Sequence, residues 1–150
     1  TGAVALPGSQ AAAEWLAAHG QRAPRILAAI GNRDGDVVAA ATALLTDRLA
    51  DPWSVAGLAA AVRTSESTLF ARFRQVTGMS PVQYLRRLRL GEARRRMIVL
   101  GDTAAQAAVA VGYRSASHFS RDYRALHGRP PAADAGRARE LLARGEGAIA

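Results

Sequence analysis

The chain has 150 residues, 49% of them apolar, and a formal net charge of +8. It contains no cysteine, which excludes disulfide frameworks, Cys-ligated zinc, iron–sulfur clusters and thiol catalysis. No run approaches the roughly 20 apolar residues of a membrane helix, and no charged-then-apolar signal segment opens the sequence.

Taken in chain order, the apolar spacing is helical and no alternating strand stretch stands out. Ser9 is placed to cap a short helix over residues 10–19 that carries Trp15 and Leu16. The run 25–30 reads equally as a strand or a helical turn. From Asp36 the pattern is firm: Val37, Val38, Ala41, Leu44, Leu45 and Leu49 line one side of a helix ending near Asp51-Pro52. Ser54 caps the next, with Val55, Leu58, Ala59 and Val62 inward. Ser65 caps a third, with Leu69, Phe73 and Val76 inward and Gly78 as its stop. Ser80-Pro81-Val82-Gln83 combines a cap, a proline at the first helical position and a capping-box glutamine, and predicts a helix over 81–99. Thr103 and Gln106 form a second capping box, for a helix ending at Gly112. Ser115 opens a helix with Phe119, Tyr123 and Leu126 inward, stopped by Gly128. One more helix is expected over 135–144, followed by a frayed tail.

The charge is concentrated. Residues 53–131 hold 13 arginines against four acids, and the remaining residues hold seven against eight. A local positive field points to a polyanionic partner, nucleic acid first and acidic membrane second. All 20 basic residues are arginine and alanine is the commonest residue, at 35. That bias fits a GC-rich bacterial genome, and codon usage with solubility is the competing account of the charge.

Shifting the chain by 50 superimposes two segments. Ser65 meets Ser115, Ser67 meets Ser117, Arg74 meets Arg124, Gly78 meets Gly128 and Pro81 meets Pro131. Each copy reads as a short helix, a turn and a capped second helix, the helix-turn-helix pattern. With Leu69 and Phe73 inward, Ser67, Phe70, Ala71 and Arg74 turn outward. In the second copy Ser117, Ser120, Arg121 and Arg124 do so. Small hydroxyl residues allow close approach to base edges, and arginine forks onto guanine O6 and N7. Phe70 either meets a thymine methyl or is covered by another part of the chain. Ser65 and Ser115 begin helices whose backbone N–H groups suit phosphates.

These residues resemble the DNA-binding region of AraC/XylS-type bacterial transcription regulators. The resemblance spans residues 36–131. It rests on Trp53-Ser54-Val55 with Leu58-Ala59, on Arg72-Phe73-Arg74 with Thr77-Gly78-Met79-Ser80-Pro81, and on Tyr84-Leu85-Arg86-Arg87-Leu88-Arg89-Leu90. It continues through Val111-Gly112-Tyr113, Phe119-Ser120-Arg121, Tyr123-Arg124 and Gly128. It implies an all-α, homeodomain-like fold: a first subdomain over 36–80, a linker helix over 81–99, a second subdomain over 100–131 and short extensions at 1–35 and 132–150. Helices 65–77 and 115–127 would enter successive major-groove segments about 34 Å apart. The DNA-contacting residues would be Ser65, Ser67, Phe70, Ala71, Arg74, Ser115, Ser117, His118, Ser120, Arg121 and Arg124.

Three features depart from the family pattern. Arg63 stands where the first turn usually has glycine, so a reshaped turn is expected. Asp134 stands where an aromatic usually follows the second repeat. Residues 1–35 are too short for an effector domain, although Leu6-Pro7-Gly8 and Pro24-Arg25-Ile26-Leu27 resemble the end of an amidotransferase-like sensor domain.

Arg86, Arg87, Arg89, Arg94, Arg95 and Arg96 look like a phosphate-binding run along the linker helix. Spacing instead allows Glu92 to pair with Arg89 and Arg96, leaving Arg87 and Arg94 solvated. His118 and Asp122 lack an orienting third group and an oxyanion loop, so they read as surface hydrogen bonding rather than a hydrolase. His19 and His127 sit where histidines cap helix carbonyls, and the three histidines have no metal-ligand spacing. The expectation is a non-enzymatic, cytoplasmic and nucleoid-associated regulator without cofactor. Its partners would be double-stranded DNA and, second, RNA polymerase. No membrane partner is expected, and no effector site within the helix-turn-helix region. The rival is a protein-interaction module that keeps the fold without specific DNA binding.

Overall fold

A computed structural model describes residues 34–145. The expected helix at 10–19, the ambiguous run at 25–30, the N-terminal extension up to residue 33, His19 and the tail beyond Gly145 lie outside the described residues. Within them, all regular structure is helical. The chain forms two compact units that part between Leu85 and Arg86.

The first unit is built from α1 (Asp34–Asp47), α2 (Val55–Ala61), α3 (Glu66–Thr77) and the start of α4 (Pro81–Arg95). Helix α1 packs on both α2 and α3 and buries Val37, Val38, Ala41, Leu44 and Leu45. Leu49 lies beyond its end and is half-buried. The Ser54 side chain accepts the Gly57 N–H at 2.9 Å, and the Ser65 side chain accepts the Thr68 N–H at 3.1 Å. Each satisfies one of the donors that a helix start leaves open. Leu58, Val62, Leu69 and Phe73 complete the core. Val76, expected inward, is 59% exposed. It lies in the last turn of α3.

The second unit holds the rest of α4, a π-helical turn (Arg96–Leu100), α5 (Ala104–Ala110), α6 (Ala116–His127) and α7 (Pro131–Ala143). The reciprocal capping boxes are present as expected. Gln83 N–H donates to the Ser80 hydroxyl and the Gln83 amide oxygen accepts the Ser80 N–H at 2.9 Å. Thr103 and Gln106 repeat the arrangement. The α-helical part of the linker stops at Arg95, and the π turn carries the chain to Leu100, seating Met97 in the core. Phe119 and Tyr123 are buried, whereas Leu126 is half-buried. Helix α7 begins four residues earlier than expected, with Pro131 at its first position and buried; the proline's fixed φ and missing N–H suit that place.

Two departures from the family pattern have a structural outcome. Arg63 takes the left-handed conformation, φ 60°, so the turn is kept rather than reshaped. Its N–H bonds to Ala60 O and that of Thr64 to Ala59 O, the paired bonds of a Schellman stop. In the second unit Gly112 occupies the same place, φ 98°, with the same two bonds from Gly112 to Val109 O and Tyr113 to Ala108 O. These turns correspond at an offset of 49, whereas Ser65 and Ser115 correspond at 50. The second turn is therefore one residue longer.

Asp134 fills the place that Tyr84 has in the first unit. Tyr84 packs edge-on against Phe73, ring centroids 5.2 Å apart. Asp134 instead accepts hydrogen bonds from the Tyr123 hydroxyl at 2.5 Å and from Arg94 Nε at 2.8 Å. An aromatic contact is thus exchanged for a polar one. Burial works against the charge on Asp134, but the bonds from Tyr123 and Arg94, with the charge of Arg94, hold its carboxyl below the usual range. Burial, and then the bond to Asp134, pushes the Tyr123 phenol up.

The linker arginines depart from the expected pairing. Arg94, expected to be solvated, is the partner of Asp134. Glu92 pairs with Arg95 rather than Arg96, with Nε–Oε1 at 2.8 Å. Arg96 turns to Asp102 at 2.8 Å. Spacing along one helix cannot reveal acids that approach from a following loop or from α7.

Candidate nucleic-acid interface

Each unit presents a short helix, a Schellman turn and a capped second helix. In both, the second helix buries one stripe and offers the opposite one to solvent. All eleven residues expected to touch DNA are exposed: Ser65, Ser67, Phe70, Ala71 and Arg74 on the first unit, and Ser115, Ser117, His118, Ser120, Arg121 and Arg124 on the second.

On α3 the N-terminal hydroxyls are joined. Ser65 Oγ donates to Thr68 Oγ1 at 2.8 Å, and Ser67 Oγ lies 3.4 Å from Ser65 Oγ. Ser65 is therefore occupied as a cap, while Ser67 keeps an outward hydroxyl. Phe70 is 44% exposed, so the alternative in which the chain covers it does not hold among the described residues. The Arg74 guanidinium lies 5.9 Å from the centre of the Phe70 ring, at the outer limit of a cation–π contact. That contact leaves the five guanidinium donors unused.

On α6, Ser115 accepts the His118 N–H at 3.2 Å. His118 Nε2 lies 3.3 Å from Asp122 Oδ2. Asp122 also accepts the Tyr113 hydroxyl at 2.9 Å and lies 3.4 Å from Arg86 Nε on α4. Burial, then the bond to Asp122, pushes the Tyr113 phenol up. This cluster was not foreseen, because its members come from a turn, α4 and α6. Only the Asp-His spacing was visible. His127, expected to cap a helix end, instead lies 3.4 Å from the mid-helix carbonyl of Leu90 and packs at a tilt against Tyr123, centroids 4.3 Å apart.

Two sets of arginines differ in their partners. Arg48, Arg86, Arg94, Arg95 and Arg96 face carboxylates. Arg74, Arg121 and Arg124, on the outward stripes of α3 and α6, have no acidic partner among the described residues. Much of the linker run that resembled a phosphate-binding track is thus neutralised internally, while arginines without an acidic partner stand on the second helix of each pair.

Two such helix pairs define a helix-turn-helix protein. A helix-turn-helix domain family model matches residues 58–137. An AraC-like protein of Streptomyces lividans is 38% identical over 118 residues, covering 77% of this chain and 38% of its own length. The transcriptional activator RhaS of Pectobacterium carotovorum is 42% identical over 64 residues, 43% of this chain and 23% of its own length. The DNA-binding domain of AdpA, a global transcriptional factor solved in complex with a target DNA, aligns with a TM-score of 0.66 and 29% identity. That alignment covers 69% of this chain and 93% of that one. This chain belongs to the AraC-type helix-turn-helix family. It spans well under half the length of these curated relatives.

Proposed function

We propose that this chain binds double-stranded DNA sequence-specifically and regulates transcription, reading two adjacent major-groove segments with α3 and α6. The observation that carries this reading is the place of three arginines. Arg74, Arg121 and Arg124, with no acidic partner among the described residues, stand on the outward stripes beside small hydroxyl residues, where a helix in a major groove meets base edges. The DNA in the AdpA complex supports the same partner class. In this reading Arg74, Arg121, Ser117 and Ser120 face bases, Phe70 faces a thymine methyl, and Ser65 and Ser115 cap helices whose N-termini hold phosphates. The functional divisions follow as 36–80, 81–99 and 100–131. RNA polymerase is the second partner, effector binding lies outside the helix pairs, and the site of action is the bacterial nucleoid.

Selection from a random duplex pool, followed by titration, tests the reading. Arg121→Ala and Arg74→Ala should each weaken the selected duplex by roughly five- to hundredfold, from the roughly 1–3 kcal/mol of a lost base contact, and change random-duplex binding far less. Equal losses on both duplexes would mean phosphate contacts only. The exposed Phe70 favours one rival, a protein-interaction module. Capture of a single protein partner with no retained duplex would support it.

A further inference from the structure

The second recognition helix carries a polar cluster that core packing does not require. His118 lies about 60° around the helix from Arg121, on its outward side. Its ring is half exposed, at 53% of side-chain surface, whereas Asp122 beneath it is at 16%. Three groups converge on Asp122 Oδ2: His118 Nε2 from α6 at 3.3 Å, the Tyr113 hydroxyl from the turn at 2.9 Å, and Arg86 Nε from α4 at 3.4 Å. The Tyr113 ring meets the His118 ring edge-on, centroids 5.6 Å apart. The imidazole is therefore held on two sides, by a carboxylate and by an aromatic ring.

An ionised carboxylate only accepts hydrogen bonds. At 3.3 Å a lone pair on the nitrogen that faces it would meet that negative oxygen, which favours the tautomer with hydrogen on Nε2. In a neutral ring the other nitrogen is then an acceptor. Nδ1 has no hydrogen-bond partner among the described residues.

We infer that His118 is a base-reading residue whose tautomer is set by Asp122, and that its Nδ1 accepts from an exocyclic amino group in the major groove, adenine N6 or cytosine N4. The inference rests on the DNA-binding reading above and deepens it. It gives His118 the opposite polarity to Arg121, one turn away, which can only donate. A donor and an acceptor side by side on one helix distinguish an amino base from a keto base on the contacted strand. Asp122 is a positioning residue, held in turn by Tyr113 and Arg86.

The test uses the whole 150-residue chain and the duplex it selects from a random pool. Each position of that duplex is varied in turn. The wild type should prefer adenine or cytosine over guanine or thymine by roughly tenfold at one position. His118→Ala should remove that preference and leave the other positions unchanged. Asp122→Asn, which no longer dictates the tautomer, should weaken it at the same position. Nitrogen-15 shifts of the His118 ring at about pH 8 should report hydrogen on Nε2 in the wild type and a mixture of tautomers in Asp122→Asn. Hydrogen on Nδ1 in the wild type would overturn the inference. So would a His118→Ala protein with every positional preference intact, or one weakened equally on all duplexes; in either case the wider reading stands. If no preferred duplex emerges at all, both fail.

Discussion

At the scale of single residues, two positions repay mutation because each solves a local problem in an unusual way. Arg63 holds φ at 60°, a conformation that costs a residue with a Cβ roughly 1–2 kcal/mol. Gly112 does the same work in the second unit without that cost. Arg63→Gly should stabilise the first unit by about 1 kcal/mol, less the greater unfolded-state entropy of glycine, measured as the urea midpoint. A lower midpoint would mean that the arginine side chain stabilises the turn by more than its backbone costs.

Asp134 is buried at 6% and satisfies Tyr123 and Arg94 together. Asp134→Ala should cost about 2 kcal/mol, chiefly by stranding the Tyr123 hydroxyl. The pH dependence follows from the directions of the shifts. The Asp134 carboxyl is held below its ordinary value, so its contribution is complete above the unfolded value of about 3.9 and is lost as pH falls through the lower folded one. Tyr123 is held above its ordinary value, so the native state keeps a proton that the unfolded chain loses, and stability falls again above about pH 10. Denaturant midpoints across pH should show the wild type and Asp134→Asn converging in acid. Parallel curves below pH 4 would show that the carboxylate charge is not what matters. The sequence marked residues 63 and 134 as departures but could not show their outcome. A backbone dihedral has no side-chain signature at Arg63, and the partners of Asp134 lie 11 and 40 residues away.

At the scale of elements, the starts were readable wherever a side chain does the capping. Ser54, Ser65, Ser80, Thr103 and Ser115 each accept a backbone N–H two or three residues into their helix, and such bonds are local in sequence. The start of α7 was misplaced because Pro130 and Pro131 provide no side-chain cap bond. The π turn after Arg95 has no composition of its own. It shows only when Met97 is seated and Arg96 reaches Asp102. The exposure of eight of the eleven candidate residues followed from helical periodicity, which fixes faces well once one buried pair is known; Ser65 and Ser115 were marked as helix starts, and His118 by the resemblance. Periodicity could not reveal that Asp122 organises His118, since Tyr113 and Arg86 arrive from other elements. Ser115→Ala should destabilise α6 by about 1 kcal/mol, read as faster amide exchange at His118 and its neighbours. Unchanged exchange there would mean that packing of Phe119 and Tyr123 alone holds the helix start.

At the scale of the whole molecule, the count of 20 arginines overstates what is available to a partner. Arg48, Arg86, Arg94, Arg95 and Arg96 lie against carboxylates, while those on the outward stripes of α3 and α6 do not. If about six phosphates are neutralised on binding, log affinity should fall against log salt with a slope near −5. A slope near zero would remove the electrostatic part of the account. The charge distribution in the sequence marked out residues 53–131, but only the ion pairs separate arginines that face carboxylates from those that do not.

The central claim is that two helix-turn-helix pairs read one duplex together. Hydroxyl-radical footprinting of the chain on its selected duplex addresses it most directly. Two protected tracts centred about 10 base pairs apart are predicted, with Arg74→Ala weakening one and Arg121→Ala the other. A single tract, insensitive to one of the two substitutions, would contradict it.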